Sequence, residues 1–150
     1  MERNVQLFLD YLGGAVLGQQ LSLPISVITD LREVGFGSWE GRSRDEIIQH
    51  NREEYENFFA DPVHHRPPGA EDLQHFGERI TGAYRQLCAS YPDEHLLVVA
   101  HAGVIRAVLG HVMQTSASAW YRAKVNNAHI SRFEHTQGKD LLVFHNVRSI

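Results

Sequence analysis

The sequence predicts an α/β layered domain, and three observations carry that reading. Leu96-Leu97-Val98-Val99-Ala100 is a continuous apolar run of strand length. Before it, Leu73, Phe76, Ile80, Tyr84, Leu87 and Tyr91 recur at intervals of three and four, the spacing of an amphipathic helix. After it, Val104, Ile105, Val108, Leu109 and Val112 give a second helical pattern. Helices interleaved with apolar strands bury their stripes against a sheet. A chain of 150 residues is most simply one domain, 1–150, with enough length for a real core.

The elements follow in order. Val5, Phe8, Leu9, Leu12 and Val16 keep helical spacing, so residues 4–21 read as a helix. Gly13, Gly14 and Gly18 weaken it, each by about 1 kcal/mol relative to Ala, unless small residues are needed for close packing on a sheet. Pro24 opens a short strand, Ile25 to Thr29, and Asp30 to Arg42 reads as a structured loop with Gly35, Gly37 and Gly41 among Phe36 and Trp39. Ser43-Arg44-Asp45-Glu46 has the form of a capping box, starting a helix that runs to Ala60 and buries Ile47, Ile48, Tyr55, Phe58 and Phe59. Pro62, Pro67, Pro68 and Gly69 make the next stretch a loop, and the amphipathic helix starts from Glu71. The run at 96–100 is expected to be a strand covered on both faces. Residues 129–135 and 141–146 read as two strands joined by Gln137-Gly138-Lys139-Asp140.

Composition narrows the function. The chain is 43% hydrophobic and 21% charged, ordinary for a globular protein. A net charge of −4 argues against a general nucleic-acid binder. The single cysteine, Cys88, has no internal disulfide partner, which points to a reducing, cytoplasmic setting. Met1-Glu2-Arg3-Asn4 leads into no signal-type block, and the longest apolar run is too short to span a bilayer, so a soluble protein without a membrane partner is expected. Ten histidines, with His64-His65 the one adjacent pair, show no metal-ligand spacing, so no metal site is expected.

The chemistry centres on Ala100-His101-Ala102-Gly103, where a strand meets a helix start. Ligands in open α/β sheets lie beyond the carboxyl ends of strands. A helix N-terminus offers unpaired N–H groups and a positive dipole end, which suits an anion, and His101 can donate to a phosphate oxygen. The plainer alternative is a hydrogen-bonded structural histidine. Upstream, Arg66-Pro67-Pro68-Gly69-Ala70-Glu71-Asp72 places a carboxyl group where a loop becomes a helix. That carboxylate would also stabilise a helix dipole, and the two roles are compatible.

Three blocks in order, Phe36-Gly37-Ser38-Trp39-Glu40-Gly41, Pro67-Pro68-Gly69-Ala70-Glu71 and His101-Ala102-Gly103-Val104-Ile105-Arg106, resemble the histidine phosphatase (phosphoglycerate mutase-like) superfamily. Within it, the text is most similar to α-ribazole phosphate phosphatases and their broad-specificity relatives. The resemblance implies a layered, mostly parallel sheet with helices on both faces. It implies hydrolysis of small phosphomonoesters, or binding of inorganic phosphate, with protein groups alone and no metal or organic cofactor. His101 becomes a phosphate-oxygen donor, and the backbone N–H of Ala102 binds the same group. Glu71 becomes the general acid for the leaving oxygen, a role that needs its pKa raised by burial or by bound phosphate. Ala70 and Ala102 stand where many members have Gly. Glu33, Trp39 and Glu40 read as loop-ordering residues.

The departures lie at the start. The family's nucleophilic histidine sits in an Arg-His-Gly motif at the end of a central strand, and that tripeptide occurs nowhere in these 150 residues. The expected sheet therefore lacks its first central strand, as in a truncated domain, and turnover is expected to be absent or impaired. Counting back from Pro24 puts Leu9 where the family has a phosphate-binding arginine; Arg3 serves only with about six residues inserted in the first helix. A sheet gap would expose strand edges and favour a homodimer. The alternative function is a non-catalytic module that binds a phosphoester or a protein.

Overall fold

The computed structural model describes the backbone of residues 5–9 and, with side chains, residues 19–20 and 22–148. Three parallel strands, β1 (Val5–Leu9), β2 (Ile25–Val27) and β3 (His95–Val99), form a sheet in the order β2-β1-β3. Four α-helices follow in chain order among the described residues: α1 (Arg44–His50), α2 (Arg52–Ala60), α3 (Leu73–Ser90) and α4 (Ala102–Val112). A separate antiparallel pair, β4 (Ile130–Thr136) and β5 (Lys139–Val147), ends the chain. The predicted α/β layering is present.

The helix expected over 4–21 is corrected at its start. Val5–Leu9 is a strand, in register with β2 from Leu7↔Ile25 to Leu9↔Val27 and with β3 from Val5↔His95 to Leu9↔Val99. Periodicity over a short apolar run does not separate strand from helix. A slot between two parallel strands offers partners to both rows of backbone groups, a tertiary term that no local pattern contains. Gln19 and Gln20 are helical; the remaining positions of the expected helix, 4, 10–18 and 21, lie outside the described residues.

The same strand corrects the gap expected at the centre of the sheet. β1 fills that position and pairs on both sides, so the inner edges of β2 and β3 are covered and the homodimer argument built on them loses its basis. Asp10-Tyr11-Leu12 follows β1 in the sequence.

Smaller differences have local causes. The single helix expected from 44 to 60 breaks at Asn51, whose extended backbone (φ −155°) ends α1 while its side chain accepts from Glu54 N–H to start α2. The capping box at Ser43 and Glu46 forms as expected. The β4–β5 turn contracts to Gln137 and Gly138, both left-handed (φ 52° and 73°), so pairing resumes at Thr136↔Lys139. β3 is not sealed along its length, since Val98 is 39% exposed.

The core joins α3 and α4 to the loop after β2 and to the 3₁₀ segment Ala117–Arg122: Leu31, Val34, Leu73, Phe76, Ile80, Val104 and Trp120 are buried together. Two glycines make room for Trp120. A Cβ at Gly110 would sit 2.0 Å from Trp120 Nε1, and one at Gly77 would sit 2.5 Å from Cη2. Gly110→Ala should therefore destabilise by about 1–3 kcal/mol in urea unfolding, although Ala outranks Gly by about 1 kcal/mol in an unobstructed helix. A neutral or stabilised variant would contradict this packing.

Candidate active site

The loop between β2 and α1 is tied to the start of α4 through one carboxylate. Glu33 Oε2 accepts from Gly103 N–H at 3.0 Å, and its Oε1 accepts from Val34 N–H at 2.9 Å. Gly103 is required there, because a Cβ would meet Glu33 Oε1 at 2.1 Å. The glycine of the His-x-Gly spacing thus lets a carboxylate reach an otherwise unpaired amide in the first helical turn. His101 is the N-cap of α4, with an extended backbone (φ −88°, ψ 169°), no side-chain capping bond and an exposed side chain. Ala102 is the first helical residue.

The Glu71 turn folds against the same loop. Gly37 has φ +54°, and a Cβ on it would lie 2.3 Å from Pro68 O, so the two turns meet backbone to backbone. Ser38 N–H donates to Pro68 O at 2.9 Å, and Glu71 N–H donates to Gly35 O at 2.9 Å. Arg66 donates to the carbonyls of Glu71 (3.0 Å) and Gly35 (3.2 Å). Asp72 caps α3, accepting from Gln74 and His75 N–H, and Glu71 precedes the cap.

Glu71 itself is held as a carboxylate. Arg79 grips it in a fork, Nε to Oε1 and Nη2 to Oε2, both at 2.8 Å. Gly35 N–H donates to Oε2 at 3.2 Å, and Arg32 stands 3.9 Å from Oε1. The Arg79 hydrogen bonds come first in holding this carboxyl below the usual range; the Gly35 amide and the charges of Arg79 and Arg32 add to them, outweighing the burial that would raise it. The raised pKa expected for a general acid is therefore not the resting state. Proton uptake would have to come with bound phosphate, whose negative charge opposes ionisation.

The structure thus connects His101 and Glu71 through Gly103, Glu33, Val34 and Gly35, each of which takes part in the hydrogen bonds just described. Arg3 lies outside the described residues. Glu33 orders the loop as expected, as do Glu40, which accepts from Phe36 N–H, and Trp39, which donates to Glu54. Sequence reasoning missed Arg79, and its position carried a signal: it lies three residues after buried Phe76 and four before buried Ala83, a cation flanking an apolar stripe. Among the described residues no three histidine, cysteine or acidic side chains converge as metal ligands, and no helix is long and apolar enough to cross a membrane.

The profile of the Histidine phosphatase superfamily (branch 1) matches residues 14–148, and the chain belongs to that superfamily. It is 29% identical over 104 residues to the adenosylcobalamin/alpha-ribazole phosphatase of Escherichia coli, an alignment covering 69% of this chain and 51% of that protein. It is 30% identical over 105 residues to the metal-independent phosphoserine phosphatase of Arabidopsis thaliana, covering 69% of this chain and 44% of that one. The chain thus spans about half the length of these curated relatives. The crystal structure of the alpha-ribazole phosphatase from Shigella flexneri shares the fold, with a TM-score of 0.79 at 23% identity, across 100% of this chain and 76% of that one.

A depressed carboxyl pKa sets the sign of an acid response. Glu71 contributes stability above about pH 4.5, the ordinary glutamate value, and that contribution is lost as pH falls through the depressed value. Glu71→Gln should therefore show a flatter fall in urea-unfolding stability below pH 5 than wild type. Parallel curves would show that Arg79 does not hold an ionised Glu71.

Proposed function

We propose that this chain binds small phosphomonoesters at the His101 turn, with Glu71 beside the leaving oxygen, and that its hydrolytic turnover is impaired. The observation that carries the reading is the Glu33 carboxylate bonded to Gly103 N–H, because it ties the turn bearing His101 and Ala102 to the loop that positions Glu71. His101 and the Ala102 amide would donate to nonbridging phosphate oxygens, stabilising charge as it develops. In the superfamily pattern a histidine attacks phosphorus as the ester oxygen leaves with a proton from the acid. Water then attacks the phosphohistidine and releases phosphate. Here no Arg-His-Gly supplies that nucleophile, so water would attack the ester directly, a slower route that oxyanion stabilisation alone supports. α-Ribazole phosphate is the substrate the sequence resemblance favours, and a reducing, cytoplasmic setting fits the single Cys88.

A second reading is a non-catalytic phosphoester-binding module, favoured by the tight Arg79 hold that keeps Glu71 ionised. Phosphate release from an aryl phosphate and from α-ribazole phosphate, with vanadate binding measured in parallel, separates the two. Saturable vanadate binding with slow release, lost in His101→Ala, supports impaired catalysis; binding with no release supports the module. Turnover at about 1–10³ s⁻¹, ordinary for enzymes, would overturn the claim of impairment.

A further inference from the structure

The terminal hairpin is held by a polar contact that the phosphoester site does not use. A two-stranded hairpin alone is marginally stable, so β4–β5 depends on what it docks against. Phe133 of β4 packs against the core, whereas Leu141 of β5 is 59% exposed. Beside Leu141, the Asp140 side chain is only 18% exposed. His135 stands opposite Asp140 in the β4–β5 register, with its Nδ1 2.8 Å from Oδ1. The Tyr84 hydroxyl of α3 donates to the same oxygen at 2.7 Å. From the last turn of α4, His111 brings Nε2 to 3.3 Å from Oδ2, and its ring meets Tyr84 edge-on with centroids 5.6 Å apart. One carboxylate on β5 thus gathers side chains from α3, α4 and β4.

The charges in this cluster decide how it behaves. Burial opposes ionisation of Asp140, but the His135 and Tyr84 hydrogen bonds and the charges of His135 and His111 outweigh it and hold the carboxyl below its ordinary range. An ionised carboxylate only accepts, so His135 Nδ1 donates to it. Burial, with the bond to Asp140, pushes the Tyr84 hydroxyl up. Cys88, one turn further along α3, faces Tyr84, and burial pushes its thiol up as well. Tyr84 and Cys88 therefore stay neutral, and the groups left to change charge between about pH 5 and 8 are the two imidazoles. Protonation converts a neutral N–H···O contact into a charge-assisted one. The gain fades as pH rises and the rings lose their protons, and it is lost at the acid end as Asp140 is neutralised.

We propose that Tyr84, His111, His135 and Asp140 form a proton-operated latch that fastens the β4–β5 hairpin to α3 and α4, tight in mildly acidic solution and loosened in alkaline solution. The latch is independent of the phosphoester reading, since none of its residues lies in the turns that carry His101 and Glu71.

Amide hydrogen exchange of the 150-residue chain tests it, read by NMR as protection factors so that the intrinsic pH dependence of exchange is removed. Between about pH 6 and about pH 8.5, protection of the paired β4–β5 amides should fall about fivefold relative to the Phe76 and Ile80 amides of α3, the step from a charge-assisted to a neutral hydrogen bond. Asp140→Asn keeps an acceptor without the charge and should remove that fall, with circular dichroism confirming the fold. His135→Gln keeps a donor without a titrating ring and should shrink the fall; it carries the test if Asp140→Asn does not fold. A fall as large in these variants as in wild type would overturn the latch. Wild-type protection that does not change with pH would overturn it too.

Discussion

The Arg79 guanidinium is the contact on which the candidate site depends. Two of its five N–H groups hold the Glu71 carboxylate, and the others reach the carbonyls of Asp30, Arg32 and Glu33 at 2.7, 2.9 and 3.2 Å. Its flat face lies 4.8 Å from the Phe76 centroid. One side chain on α3 therefore fixes both the turn carrying Glu71 and the loop that reaches α4 through Glu33. Arginine suits this position because its donors form a rigid planar fork; lysine offers a single compact charge and cannot span the same set of acceptors.

Because Arg79 satisfies both oxygens of Glu71, the carboxyl is held ionised. A general acid must instead carry a proton when the leaving oxygen needs it. An arriving phosphate dianion changes the balance by adding negative charge beside a carboxylate that already faces two arginines. The same geometry therefore serves two outcomes: catalysis if phosphate binding lifts the proton affinity of Glu71, and binding alone if Arg79 keeps its grip.

Much of this was legible in the sequence wherever a local signal matched a local structure. The periodicity at 73–87 is the buried face of α3, the capping box at Ser43 forms, and the apolar run at 96–99 is a strand. The order Phe36–Gly41, Glu71, His101 marks the elements that meet around Glu33. What escaped the sequence was non-local. Val5–Leu9 reads as helix until two parallel neighbours supply its hydrogen-bond partners. Arg79 has no role visible in the sequence until Glu71, eight residues earlier, folds within reach of its guanidinium. The exposure of Phe59 emerges only once α2 is placed against Trp39 and Tyr121.

The proposed function requires phosphate to be held at the amino end of α4. The most direct measurement is an amide ¹H–¹⁵N NMR titration of the 150-residue chain with inorganic phosphate. Saturable shifts centred on Ala102 are expected, with a smaller response at Gly103, whose N–H already donates to Glu33. Shifts confined to other segments, with Ala102 unmoved at saturation, would contradict the proposed function.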